Sequence, residues 1–184
     1  MAELKIARLG NPVLRKISRP VPVEELTDPD SGIQGLIDDM ADFMRKEGGV
    51  GLAAPQVSRP VRIVIAECEE SERYPGKESI PLTVLVNPEI TRASEERVLG
   101  WESCLSLIDF RGLVPRSKKI TVEALDRRGK KMVIEAEGFL AIVLQHEIDH
   151  LNGLVFLDRM EDLTQLAYTK EFETYWLEKD PARI

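Results

Sequence analysis

The chain has only two histidines, and both lie in one hexapeptide, Gln145-His146-Glu147-Ile148-Asp149-His150. On a helix, residues four apart leave from the same face, so the two imidazoles can share one metal ion. Glu147 follows the first ligand directly. Its carboxylate can therefore reach water at that metal and take its proton. Two histidines scattered at random over such a length fall four apart roughly once in a hundred, and with Glu beside the first roughly once in a thousand. The pattern is therefore read as a helix with one face turned to a metal and to water, against the weaker alternative of a chance pattern on a surface helix.

The rest of the composition narrows the setting. With 184 residues, 43% apolar and 31% charged, the chain is expected to form a single globular domain over 1–184 with a substantial core, 163–184 forming a C-terminal helix and tail. A net charge of −7 argues against a general nucleic-acid binder and against an anionic membrane surface. No apolar run approaches the ~20 residues of a membrane span. Met1-Ala2-Glu3-Leu4-Lys5-Ile6 lacks a signal-peptide layout, so a cytoplasmic location is expected. Cys68 and Cys104 are too few for a disulfide framework.

Prolines punctuate residues 1–30, with a helical turn expected near Val13–Ile17. Asp30 or Ser31 can cap a helix reaching about Glu47. Its apolar residues Ile33, Leu36, Ile37, Met40, Phe43 and Met44 recur at three and four, and Gly48-Gly49 ends it. Strands are expected at Val61–Ala66, at Leu82–Val86 (closed by Asn87-Pro88), near Ile90–Leu99, at Gly112–Pro115, Ile120–Leu125 and Met132–Ala136. The last two form a hairpin through Arg127–Lys130. Glu67–Pro81 reads as a loop. Phe139–Leu151 is the helix that carries the histidines, ended by Asn152-Gly153, and a last helix fits Leu163–Lys179. Strands run together between helices with little βαβ alternation. The fold class is therefore α+β, with mainly antiparallel sheets packed around the central HExxH helix.

A catalytic site of this kind usually has three protein ligands and one open position. No further histidine exists. One candidate is an acidic residue after position 153, as in a zinc endopeptidase. The other is Cys104, forty-two residues before His146, in Trp101-Glu102-Ser103-Cys104-Leu105-Ser106. A sulfur ligand suits zinc or ferrous iron, but spacing alone does not choose between them. A closed structural site in a non-enzymatic binding module would need a fourth ligand such as Cys68, and would leave Glu147 without a purpose.

Three segments resemble the motifs of the peptide deformylase family, in order. Gly49-Val50-Gly51-Leu52-Ala53-Ala54-Pro55-Gln56 is similar to GxGxAAPQ, Glu102-Ser103-Cys104-Leu105-Ser106 to EGCLS, and Gln145–Gly153 to QHExDHLxG. The likeness extends to Pro12–Arg15 and Arg111–Arg116 and covers roughly residues 5–160. It implies removal of formyl from N-formylmethionine on nascent peptides, with one divalent metal held by Cys104, His146 and His150. Glu147 would act first as base and then as acid. The Leu105 N–H and the Gln56 amide would stabilise the oxyanion.

The resemblance also implies that Val50, Gly51 and Ser103 bind the peptide, and that Phe139, Ile142 and Val143 line the methionine slot. Ser103 replaces the usual Gly, which bears on the shape of the cleft rather than on the metal. Glu102 and Arg116 are expected to pair and fix the Cys104 strand, Asp149 to orient a group of the site or merely cap a surface contact, and Cys68 to be structural. The implied native metal is Fe2+, with Zn2+, Ni2+ or Co2+ exchanging in on purification. Family members act near the ribosome exit, and some carry a basic terminal helix. Here 161–184 holds six acidic residues and three basic ones. Ribosome contact is therefore expected to be transient at most, with no specific nucleic acid and no membrane partner. The apolar stripe Leu163, Leu166, Phe172, Tyr175, Trp176 and Leu177 is expected to pack on the body or in a homodimer.

Overall fold

A computed structural model describes residues 4–68 and 79–177. In chain order the helices are α1 (Val23–Thr27), α2 (Ile33–Lys46), α3 (Gly138–Leu151) and α4 (Thr169–Tyr175). The strands are β1 (Gly51–Ala53), β2 (Ile63–Cys68), β3 (Ile80–Ala93), β4 (Arg97–Glu102), β5 (Phe110–Ser117), β6 (Lys119–Leu125), β7 (Lys131–Glu137) and β8 (Leu166–Tyr168). They form two sheets, ordered β1-β2-β3-β6-β7 and β4-β5-β8. Every pairing between these strands is antiparallel. This is the α+β class expected from the sequence. No described helix is long and apolar enough to cross a membrane.

The larger sheet lies between two helices, and the alternation of its side chains shows why. On β2, Val64, Ala66 and Cys68 join Ala141, Leu144, Ile148 and Leu151 of α3. The intervening Ile63 and Ile65 join Ile37, Met40 and Met44 of α2. A strand's period of two sends successive residues to opposite faces, so a run of apolar residues feeds both layers at once. Helix α2 is amphipathic, as its spacing indicates. Helix α3 is buried on nearly every side from Ala141 to Leu151, and so forms the centre of the domain rather than a surface. It starts at Gly138 (φ +62) and stops before Gly153 (φ +74). A Cβ on Gly153 would lie 2.7 Å from the Arg15 carbonyl oxygen, so both the sign of φ and the close approach call for glycine.

Several boundaries differ from the sequence reading. Asn87-Pro88 does not end a strand; β3 continues through it with an irregular register. Asn87 takes a left-handed φ of +53, which asparagine tolerates. Its side chain accepts from Val21 N–H and donates to the Val21 carbonyl, both at 2.8 Å. The expected strand Ile90–Leu99 is cut at Ala93, and β4 starts afresh at Arg97. Gly32, not Asp30 or Ser31, occupies the N-cap of α2, although Ser31 Oγ still accepts from Ile33 N–H.

The last helix is much shorter than Leu163–Lys179. Leu163–Gln165 form a 3-10 turn and Leu166–Tyr168 form β8, because β5 offers them a pairing edge at Phe110–Gly112. Only Thr169–Tyr175 is helical. The expected loop Glu67–Pro81 is shorter at both ends, since Glu67 and Cys68 belong to β2 and Ile80 and Pro81 to β3; its residues 69–78 and the tail beyond 177 lie outside the described residues.

Candidate metal centre and cleft

Helix α3 carries His146 and His150 on one face, with ring centroids 5.0 Å apart. Strand β4 runs out at Glu102, and two residues later Cys104 opens a 3-10 turn (Leu105–Leu107). This places Cys104 Sγ 3.3 Å from His150 Nε2. The donor atoms of Cys104, His146 and His150 lie within 4.8 Å of one another, and all three residues are buried. Among the described residues no carboxylate joins this group. The acidic residue that an endopeptidase would supply after position 153 is absent from it, as is Cys68, which packs in the core. A sulfur and two imidazole nitrogens at such separations suit a tetrahedral thiophilic cation with one position left open.

The site is held by a buried ionic network. Glu102 Oε2 accepts from His146 Nδ1 at 2.7 Å, leaving Nε2 as the ligand atom. Arg116 grips the same carboxylate through Nε at 2.7 Å and Nη2 at 3.0 Å. Its Nη1 reaches Asp149 Oδ2 at 2.5 Å. Asp149 is held in turn by Arg159 at 3.0 and 2.6 Å. Burial would push the Glu102 carboxyl up, but hydrogen bonds from His146 and Arg116 outweigh it and hold its pKa at about 2. The pair Glu102–Arg116 was expected from sequence. Arg159, which closes the chain of charges at the surface, was not, because nothing in its local sequence marks it.

Glu147 sits beside the donors, 5% exposed. Burial, the largest influence, raises its pKa to about 7. Its Oε2 is buried with no hydrogen-bond partner among the described residues. An unsatisfied buried carboxylate oxygen is costly, and its position next to the donor group marks where a water or substrate proton would be met.

Gln56 is buried under the same site. Ala53 N–H donates to its Oε1 at 2.8 Å, which turns Nε2 toward Cys104 Sγ, 3.4 Å away. Leu105 supplies the first N–H of the 3-10 turn after Cys104, an N–H without a partner inside the turn itself.

Two small cavities flank these groups. One, about 70 Å³, is lined by Gly49, Val50, Gly51, Gln56, Ser103 and Leu105, among others. The other, about 80 Å³, is lined by Val50, Phe139, Ile142, Val143, Trp101 and Ser103, together with His146 and Glu147. Larger hollows elsewhere on the surface contain none of the donors. The first takes Gly51 from β1 and the second takes Trp101 and Glu102 from β4, each an edge strand of its own sheet, and Val50 and Ser103 line both. The structure thus brings together every residue that the sequence singled out for the site. It adds Trp101, whose place in the Trp-Glu-Ser-Cys run was the only signal available.

Gly51 has a second constraint besides substrate approach. A Cβ there would fall 2.5 Å from Glu147 Oε1 and 2.8 Å from its Cγ. The backbone at 51 is the wall against which the Glu147 carboxylate rests. Gly51→Ala is expected to displace that carboxylate while leaving the ligands in place. Turnover should fall by about 10²-fold at unchanged metal content, measured by initial rates and elemental analysis of the same preparation. A variant that kept its rate would show that Gly51 serves the backbone alone.

The comparisons with known proteins agree with this geometry. A family described as polypeptide deformylase matches residues 3–166. Peptide deformylase 2 of Pseudomonas putida is 46% identical over 165 residues, covering 90% of this chain and 92% of its own length. Peptide deformylase 1 of Bordetella pertussis is 43% identical, covering 96% of both chains. A solved structure of class I type b peptide deformylase from Acinetobacter baumannii, bound to Met-Ala-Ser, superposes with a TM-score of 0.82 at 39% identity, covering 85% of this chain and 98% of that one.

Proposed function

Given that the chain belongs to the peptide deformylase family, we propose a division of labour among its residues. The enzyme is a metal-dependent hydrolase that removes the formyl group from the N-terminal formylmethionine of newly made polypeptides and releases formate. The carrying observation is the convergence of Cys104, His146 and His150 with Glu147 at the floor of a cleft between two strand edges.

Cys104, His146 and His150 would hold one divalent cation, Fe2+ in the cell. Zn2+, Ni2+ or Co2+ would compete for the same donors during purification. A cation held there supplies Lewis acidity, polarising the formyl oxygen and lowering the pKa of water. Glu147 accepts the proton of the attacking water and then delivers it to the leaving nitrogen, which departs as the free amine. Its buried place beside the metal-binding residues lets one carboxylate take the proton and return it.

The Gln56 Nε2–H and the Leu105 N–H donate to the oxygen of the tetrahedral intermediate. Val50 and Gly51 on one edge and Ser103 on the other hold the peptide backbone as an added strand. Phe139, Ile142 and Val143 accept the methionine side chain. Contact with the ribosome would be transient, the enzyme working in the cytoplasm without nucleic acid or membrane. A homodimer through the exposed residues near α4 is compatible with this scheme.

The test is formate release from formyl-Met-Ala-Ser by protein prepared without oxygen, set against metal content. No release from the iron-loaded chain would overturn the scheme. Within it, Gln56→Ala should lower turnover roughly 10²–10³-fold and leave metal affinity almost unchanged. Loss of metal in that variant would instead make Gln56 a structural support.

A further inference from the structure

Trp101 lines the cavity formed by Val50, Phe139, Ile142 and Val143, yet its ring is covered from the far end of the chain. Phe172 packs against it with ring centroids 4.9 Å apart, and Trp176 at 5.6 Å. Together they leave Trp101 only 6% exposed. The covering unit, β8 and α4 with Trp176 just after it, is itself fastened to the rim of the cleft. Tyr168 stacks on Phe110 at 5.0 Å. Thr169 N–H donates to the Asp109 carbonyl at 2.9 Å, and its Oγ1 to the Ile108 carbonyl at 3.1 Å. Ile108 lines the neighbouring cavity. The family match ends at residue 166, so this unit lies almost wholly beyond it.

Strand β4 pairs with β5 on one side only. On its other edge, the wall running from Trp101 to Ser103 has no neighbouring strand among the described residues. Glu102 is held by Arg116 and His146, and the aromatic stack holds the wall at Trp101. The cavity is small enough that a slight shift of one wall changes which side chain fits, and one methylene in an apolar slot is worth roughly 10–200-fold in selectivity.

We propose that Trp101 determines how strictly the enzyme selects the first side chain, with Phe172 and Trp176 as positioning residues that hold its wall in place. This rests on the deformylase reading above. The experiment compares kcat and KM for formyl-Met-Ala-Ser and formyl-Phe-Ala-Ser in the iron-loaded full chain and its variants. Trp176→Ala, Phe172→Ala and Trp101→Leu should each cut the Met-over-Phe preference by about tenfold. The change should come through a raised KM for the methionyl substrate, with kcat changed little and metal content intact. Trp101→Phe keeps a ring in the stack and should retain most of the preference.

Trp176 is 38% exposed, so its variant keeps the buried core and decides the matter if Phe172→Ala does not fold. A preference unchanged within about twofold in both Trp176→Ala and Trp101→Leu, whatever happens to their melting temperatures, would overturn the proposal. Failure of the unaltered chain to release formate would overturn the family-based scheme instead.

Discussion

Glu147→Gln should lower turnover by roughly 10²–10⁴-fold while the protein still binds about one metal per chain. The amide keeps the shape of the carboxylate but cannot take a proton, and neither metal-binding imidazole depends on it. The same substitution has a second, opposite consequence. Burial raises the Glu147 pKa from its ordinary value of 4.5 to about 7, so the folded state holds its proton more tightly than the unfolded chain. Stability is then fully present below about pH 4.5 and declines as pH rises toward 7, where the buried carboxylate must ionise. Metal-free Glu147→Gln should therefore melt above the metal-free parent at pH 8 and level with it near pH 4.5. A bound cation offsets the cost by pairing with the charge, so the gap should narrow on metal loading. Activity within a few-fold of the parent would sink the proton relay. A lower melt at pH 8 would sink the account of burial.

Cys104→Ser should cost the protein its metal. Sulfur is the only donor in the group outside α3, and a serine hydroxyl is a poor substitute for a thiolate. Affinity should drop about 10²-fold or more, more than the loss typical when a residue supporting a ligand is removed, and deformylation should fall with it. The substitution is small in volume, and Leu107, Val114, Val155 and Phe156 still surround the position. The fold should therefore persist, with the chain migrating as before in size exclusion. Retention of tightly bound metal would point to a donor set without sulfur, as an endopeptidase has.

What could be read from the sequence depended on whether the signal was local. Helix α3 was legible because Asn152-Gly153 ends it and its two histidines fall at helical spacing. The third ligand was not legible from spacing. Cys104 reaches the histidines only because β4 and β5 fold back beside α3, and such a long-range pairing leaves no periodic trace. Likeness to a family supplied it. Asn87-Pro88 looks like a strand end because proline lacks an N–H, yet β3 passes through it, with the Asn87 side chain bonded to the backbone of Val21. At the C-terminus, Leu166-Ala167-Tyr168 fits a helical stripe as readily as a strand. The open edge of β5 decided it. Trp101 was passed over because one aromatic in a strand reads as core until its neighbours are known.

The brevity of β1 carries a consequence for how long the enzyme holds a chain. Three residues, Gly51–Ala53, offer a seam of two or three main-chain hydrogen bonds. At a net value of about 1 kcal/mol each, these alone amount to no better than millimolar binding. On the proposed pairing, residues of the client beyond the second or third meet no further length of β1 among the described residues, so lengthening the peptide should add little grip. Recognition is then confined to the extreme end of the polypeptide, and the remainder of the chain leaves the complex as unconstrained as it entered.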